Sequence, residues 1–151
     1  MIDANGTTPG TGTTPGAEVD GGPLPRLLCD TAGLPGLAEA PSGALWKPAE
    51  SGRQLDANVV HLEPHRQVDT HAEPDLDVLL LVLDGSGTLG TLGTERGPQE
   101  LAAGRLLWLP RGSSRSLTAG AEGLRYLTVH RRRPGLQIRG RADRAPDPLP
   151  E

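Results

Sequence analysis

The stretch "VDTHAEPDLDVLLLVLDGSGTL" runs from Val68 to Leu89, and its reading decides the fold. His71 and Glu73 stand two residues apart, the spacing that places both side chains on one face of an extended strand. "AEPD" then interrupts the strand with turn residues. "DVLLLVL" (77–83) is an apolar run of strand length, followed by the turn signal "DGSG". The stretch therefore predicts strands near 66–71 and 77–83.

The same punctuation continues on both sides. From about Arg53 onward, short apolar runs alternate with Gly- and Pro-containing turns, which predicts further strands near 56–62, 87–92, 98–102, 105–109, 115–119 and 124–131. No window after residue 50 carries an apolar period of 3.6. The fold class expected is all-β, a sandwich or barrel. Upstream, residues 23–40 have room for a helical turn or two around Arg26 to Thr31, kept short by Pro23, Pro25 and Pro35.

The 151 residues suit one domain. Residues 1–23 are a Gly/Thr/Pro tract with too little apolar surface to offset its ordering entropy, and 139–151 have the same character with added charge. Both are expected to be disordered tails. Residues 24–44 read as a loosely structured lead-in and 45–138 as the barrel domain.

Composition excludes several functions. A net charge of −4 argues against an electrostatic nucleic-acid binder. The aromatic side chains are Trp46, Trp108 and Tyr126, too few for a base-stacking surface. The longest apolar run, Val78 to Leu83, is far too short to span a bilayer. Cys29 stands alone, which excludes an internal disulfide and a Cys-rich zinc site and fits a reducing compartment. The start shows no basic region followed by an apolar one, so the expected location is cytoplasmic. The basic run 131–144 reads as a solvated tail. "GSGTLG" (85–90) joins two strands and lacks the GK[ST] of a phosphate loop. His61, at a strand end, and His65, in a turn, read as solvated, and His130 as a surface residue.

The sequence resembles the cupin superfamily, small β-barrels of jelly-roll topology. The first cupin motif, G(X)5HXH(X)3–4E(X)6G, fits in spacing: His65 replaces the leading glycine, His71 is the first histidine, Glu73 stands for the second, Val78 for the glutamate, and Gly85 matches. The second, G(X)5PXG(X)2H(X)3N, lies over Gly104, Pro110 and Gly112, with Arg115 in place of the third histidine and Ala119 in place of the asparagine. The resemblance implies a single jelly-roll barrel, and a homodimer, which would also cover strand edges.

It further implies that residues 71, 73, 78 and 115 face one cavity, where the family holds a transition metal. Of the four ligands only His71 remains in kind. Glu73 could still ligate, Val78 cannot, and Asp77 beside it points to the opposite face unless a bulge intervenes. Arg115 has no lone pair to donate and repels a cation. His71, Glu73 and Asp77 are thus weak metal candidates, and no metal cofactor is expected. Glu73 and Arg115 are expected to pair instead, since a hydrogen-bonded pair tolerates burial better than isolated charges. The leading expectation is a metal-independent small-molecule-binding or sensory barrel. It would favour an anionic ligand held by Arg115, His71 and Glu73, with Val78, Leu80, Val82 and Trp108 as apolar wall. The alternatives are a metal-dependent oxygenase or isomerase with a weak site at His71 and Glu73, a metal-free isomerase or lyase with one of these as general base, and a scaffold with a closed pocket.

Overall fold

The computed structural model describes residues 23–93 and 95–133. Most of the two expected tails, 1–22 and 139–151, and the 138 boundary of the barrel lie outside these residues.

Among the described residues seven strands form, all paired antiparallel: β1 (Gly43–Trp46), β2 (Leu55–Leu62), β3 (Gln67–Ala72), β4 (Val78–Thr91), β5 (Gln99–Ala102), β6 (Leu106–Leu109) and β7 (Ser114–Arg131). Two of them, β4 and β7, are long and run side by side. Their sections Val78–Gly85 and Leu124–His130 pair with each other and with β6 and β2, while β1 extends β2 at the edge. Their sections Gly87–Thr91 and Arg115–Ala119 also pair, and carry β5 and β3 on their flanks. Each long strand thus serves two faces of one barrel.

The bend lies where two turns were expected. "DGSG" and "GAEG" do not end their strands; the chain continues through bulges between Val82 and Asp84 and between Gly85 and Gly87. Gly85 is at φ +77°, and a Cβ there would stand 2.2 Å from the Gly123 carbonyl oxygen. Only glycine allows both the dihedral and the close approach of the two chains. Eight short strands were expected; the bulges merge four of them into two. β1 was not expected at all, because "GALW" carries no alternation and is held extended by pairing with Val59–His61.

Alternation on β4 explains the core. Val78, Leu80 and Val82 are buried, whereas Leu79 between them is 46% exposed. Leu80, Val82, Leu89, Leu101 and Leu124 are no more than 2% exposed, each contributing roughly 1.5–3 kcal/mol of burial.

The lead-in has more structure than its composition suggests. It holds one 3-10 turn, Thr31–Gly33, capped by the Asp30 side chain, which accepts from the Ala32 N–H. This lies at the C-terminal end of the expected helical region. Beyond it, Ala40 is buried and Arg125 of β7 donates to the Pro35 carbonyl. Beside Arg125, across the β2–β7 ladder, stands His61, which is 0% exposed. The expectation of a solvated His61 is therefore corrected: strand geometry turned it outward, but the folded-back chain covers it. His65 is exposed.

Candidate functional site

The barrel encloses a chamber of about 140 Å³. Val68, Val78, Leu80, Leu109 and Leu117 supply its apolar wall; His71, Arg115, Tyr126 and Thr128 supply its polar groups. Three of the four positions picked out by the cupin motifs, 71, 78 and 115, thus line one cavity.

Strand register explains this convergence. His71 is the direct partner of Arg115 in the β3–β7 ladder, and Val68 is the partner of Leu117. Three steps on β3 answer two on β7, so a bulge lies between Val68 and His71. The extra residue keeps both side chains on the chamber side, which strict alternation would forbid. On β7, Arg115, Leu117 and Ala119 are buried at alternate positions. Val78 opens β4, paired with Leu109.

Glu73 departs from expectation. It lies just past the end of β3, where the ladder stops before Pro74, so alternation no longer sets its direction. Its carboxylate pairs with Arg133, not with Arg115, and its Oε1 accepts from the Asp75 N–H at 3.3 Å. Its carbonyl accepts from the Gly112 N–H at 2.7 Å. Glu73 does not line the chamber.

Arg115 is 6% exposed and makes no ion pair among the described residues. Among the described residues its guanidinium makes one hydrogen bond, a long donation to the Ser113 carbonyl, 3.4 Å. Burial pulls the guanidinium below its ordinary pKa, and the negative charge of Glu73 nearby pulls the other way. The group remains a cation facing a small cavity.

Tyr126, which sequence reasoning left out of the site, lines the chamber opposite Val82 of β4. Burial pushes its phenol up to about 12, so it stays protonated and able to donate. Neither its hydroxyl nor that of Thr128 has a hydrogen-bond partner among the described residues. The sequence signal was present: Tyr126 and Thr128 alternate with outward residues on the last strand.

His71 sits at an exposed edge of the chamber. Its Nδ1 lies 2.9 Å from the Asp69 carbonyl, which can only accept, so Nδ1 carries a proton. That leaves Nε2 as the ring nitrogen able to accept.

Trp108 does not line the chamber as expected. It is 65% exposed and borders an outer cleft of about 700 Å³ that shares Leu109 and Arg115 with the chamber. Between the buried Leu109 and half-buried Leu107, alternation turns it out. Val82 is buried but also outside the chamber lining. Asp77 accepts the Arg111 backbone N–H at 2.8 Å and so braces the loop before β7.

The donor set does not fit a metal. His71 offers one nitrogen, Glu73 is engaged by Arg133, Val78 offers nothing, and Arg115 brings a positive charge. Among the described residues, no three His, Cys, Asp or Glu side chains come together as a metal site.

The fold matches the Cnp3 cupin domain of Schizosaccharomyces pombe with a TM-score of 0.50 over 57% of this chain and 58% of that one, at 16% identity. The fold is that of a cupin. Two other matches score lower: a Bacillus halodurans protein (TM-score 0.48, 15% identity, 54% of this chain and 66% of that one) and a cupin-2 domain protein of Shewanella frigidimarina (0.47, 18%, 61% and 80%). The chain spans less than two thirds of the first two structures. No protein-family model matches this chain, and no curated protein matches it in sequence.

Proposed function

We propose that this cupin binds a small anionic molecule without a metal, with a carboxylate seated on Arg115. The observation that carries the reading is a guanidinium that is buried yet has no ion-pair partner among the described residues. A buried cation is costly unless an anion joins it, so the chamber favours a ligand that supplies one. Tyr126 and Thr128 add hydroxyls without internal partners, and His71 adds Nε2 at the edge. A chamber of 140 Å³ equals about five water volumes at ~30 Å³ each. That size suits a short carboxylate, with any longer tail directed past Leu109 into the outer cleft.

The test is a thermal-shift and calorimetric comparison of propionate, lactate, pyruvate and benzoate with their neutral amides. Carboxylates are expected to raise the melting temperature in a saturable way, and the amides are not. Arg115→Met is expected to abolish the response. Equal behaviour of acids and amides, or no response to either, overturns the reading.

A further inference from the structure

We infer that Arg133 is a positioning residue for this chamber: it holds Glu73 away from Arg115 and so leaves the buried guanidinium free for a ligand. This rests on the anion-binding reading above.

One carboxylate here faces two cations. Glu73 is fastened beside the site through its backbone, because its carbonyl takes the Gly112 N–H at 2.7 Å in the loop leading to β7. Its side chain is only 13% exposed. Two residues past His71, the ladder partner of Arg115, its negative charge also lies close enough to act on that guanidinium. Yet its Oε2 is occupied by the guanidinium of Arg133, which follows β7 and is 64% exposed.

The arrangement places the internal counter-ion on the wetter of the two arginines. A pair open to water is weakly held, whereas a buried guanidinium gains strongly from any anion that reaches it. With Arg133 in place, no carboxylate among the described residues pairs with Arg115, and a ligand is free to supply the anion. Without it, Glu73 is the carboxylate best placed to neutralise Arg115, and it competes with the ligand for the same donors. The sequence expectation of a Glu73–Arg115 pair then describes the closed alternative to the state observed.

The test is a double-mutant cycle read by carboxylate affinity, with the propionate or lactate that binds the unaltered protein as probe. Glu73→Gln alone is expected to leave affinity within about twofold, because Glu73 is already held aside. Arg133→Gln is expected to lower affinity about fivefold, the factor equivalent to ~1 kcal/mol. Arg133→Gln with Glu73→Gln together are expected to restore it. A general field effect would instead be additive: Glu73→Gln would strengthen binding by as much as Arg133→Gln weakens it. Additive changes, or an Arg133→Gln protein that binds like the parent, overturn the role of Arg133 and leave the anion site standing. A parent protein that binds no carboxylate removes the site, and this role with it.

Discussion

His71 stands directly across the β3–β7 ladder from Arg115, and both line the chamber that Val78 closes from β4. Val78 and Arg115, two of these three positions, carry side chains that cannot ligate a metal. Val78→Glu with Arg115→His should therefore create a site of two imidazoles and one carboxylate. Zinc, nickel or cobalt at a hundredfold excess over Kd should stabilise that variant by roughly 2.7 kcal/mol. Adding Glu73→His should contribute little, since residue 73 turns toward Arg133. A variant that folds and shows no metal-dependent rise in melting temperature would mean the three positions do not converge.

Arg115 is expected to cost the fold stability. Arg115→Met replaces a buried cation that has no ion pair among the described residues with an apolar side chain of similar length. Such exchanges stabilise by about 1–3 kcal/mol when packing is preserved. The denaturant midpoint is expected to rise while carboxylate binding disappears. A clear fall in the midpoint would assign Arg115 a structural role.

His61 predicts a pH dependence. Burial, and then the charge of Arg125, hold its imidazole below the ordinary value of 6.5, while Glu63 and the carbonyls of Ala40 and Leu37 act in the opposite sense. Neither ring nitrogen has a hydrogen-bond partner among the described residues. With a lowered folded pKa, the unfolded chain takes up the proton first as pH falls. The contribution is thus intact above about pH 6.5 and lost progressively as pH falls below it, toward the folded value. Melting temperature should drop in that range, and His61→Leu should flatten the drop. An unchanged profile in His61→Leu would place the responsible group elsewhere.

Gly85 and Gly93 separate dihedral strain from steric conflict. Both have positive φ, +77° and +78°, but a Cβ meets the Gly123 carbonyl at Gly85 and nothing within 4 Å at Gly93. Gly93→Ala should cost about 1–2 kcal/mol, the ordinary penalty for a left-handed L-residue. Gly85→Ala should cost several kcal/mol more, because backbone must move. Equal losses, measured by denaturant unfolding, would show that the two long strands are not pressed together at the bend.

Sequence alone determined the all-β class and the alternation that buries Val78, Leu80 and Val82; that His71 and Arg115 share a chamber was implied by the cupin resemblance, and a bulge in β3 brings it about. Class and alternation follow from a period of two and from turn chemistry, both local. The merging of strands at Gly85 and the strand character of "GALW" depend on what lies across the ladder, and no local pattern encodes that. The burial of His61 was invisible for the same reason, since it needs residues 35–40 folded over β2 and β7. The partner of Glu73 was decided the same way. Opposite charges at 73 and 115 were legible, but Glu73 stands past the end of its strand. Only the folded chain brings Arg133, sixty residues later, to its carboxylate. Charge complementarity names candidates, and a contact so distant in sequence is selected by three-dimensional proximity.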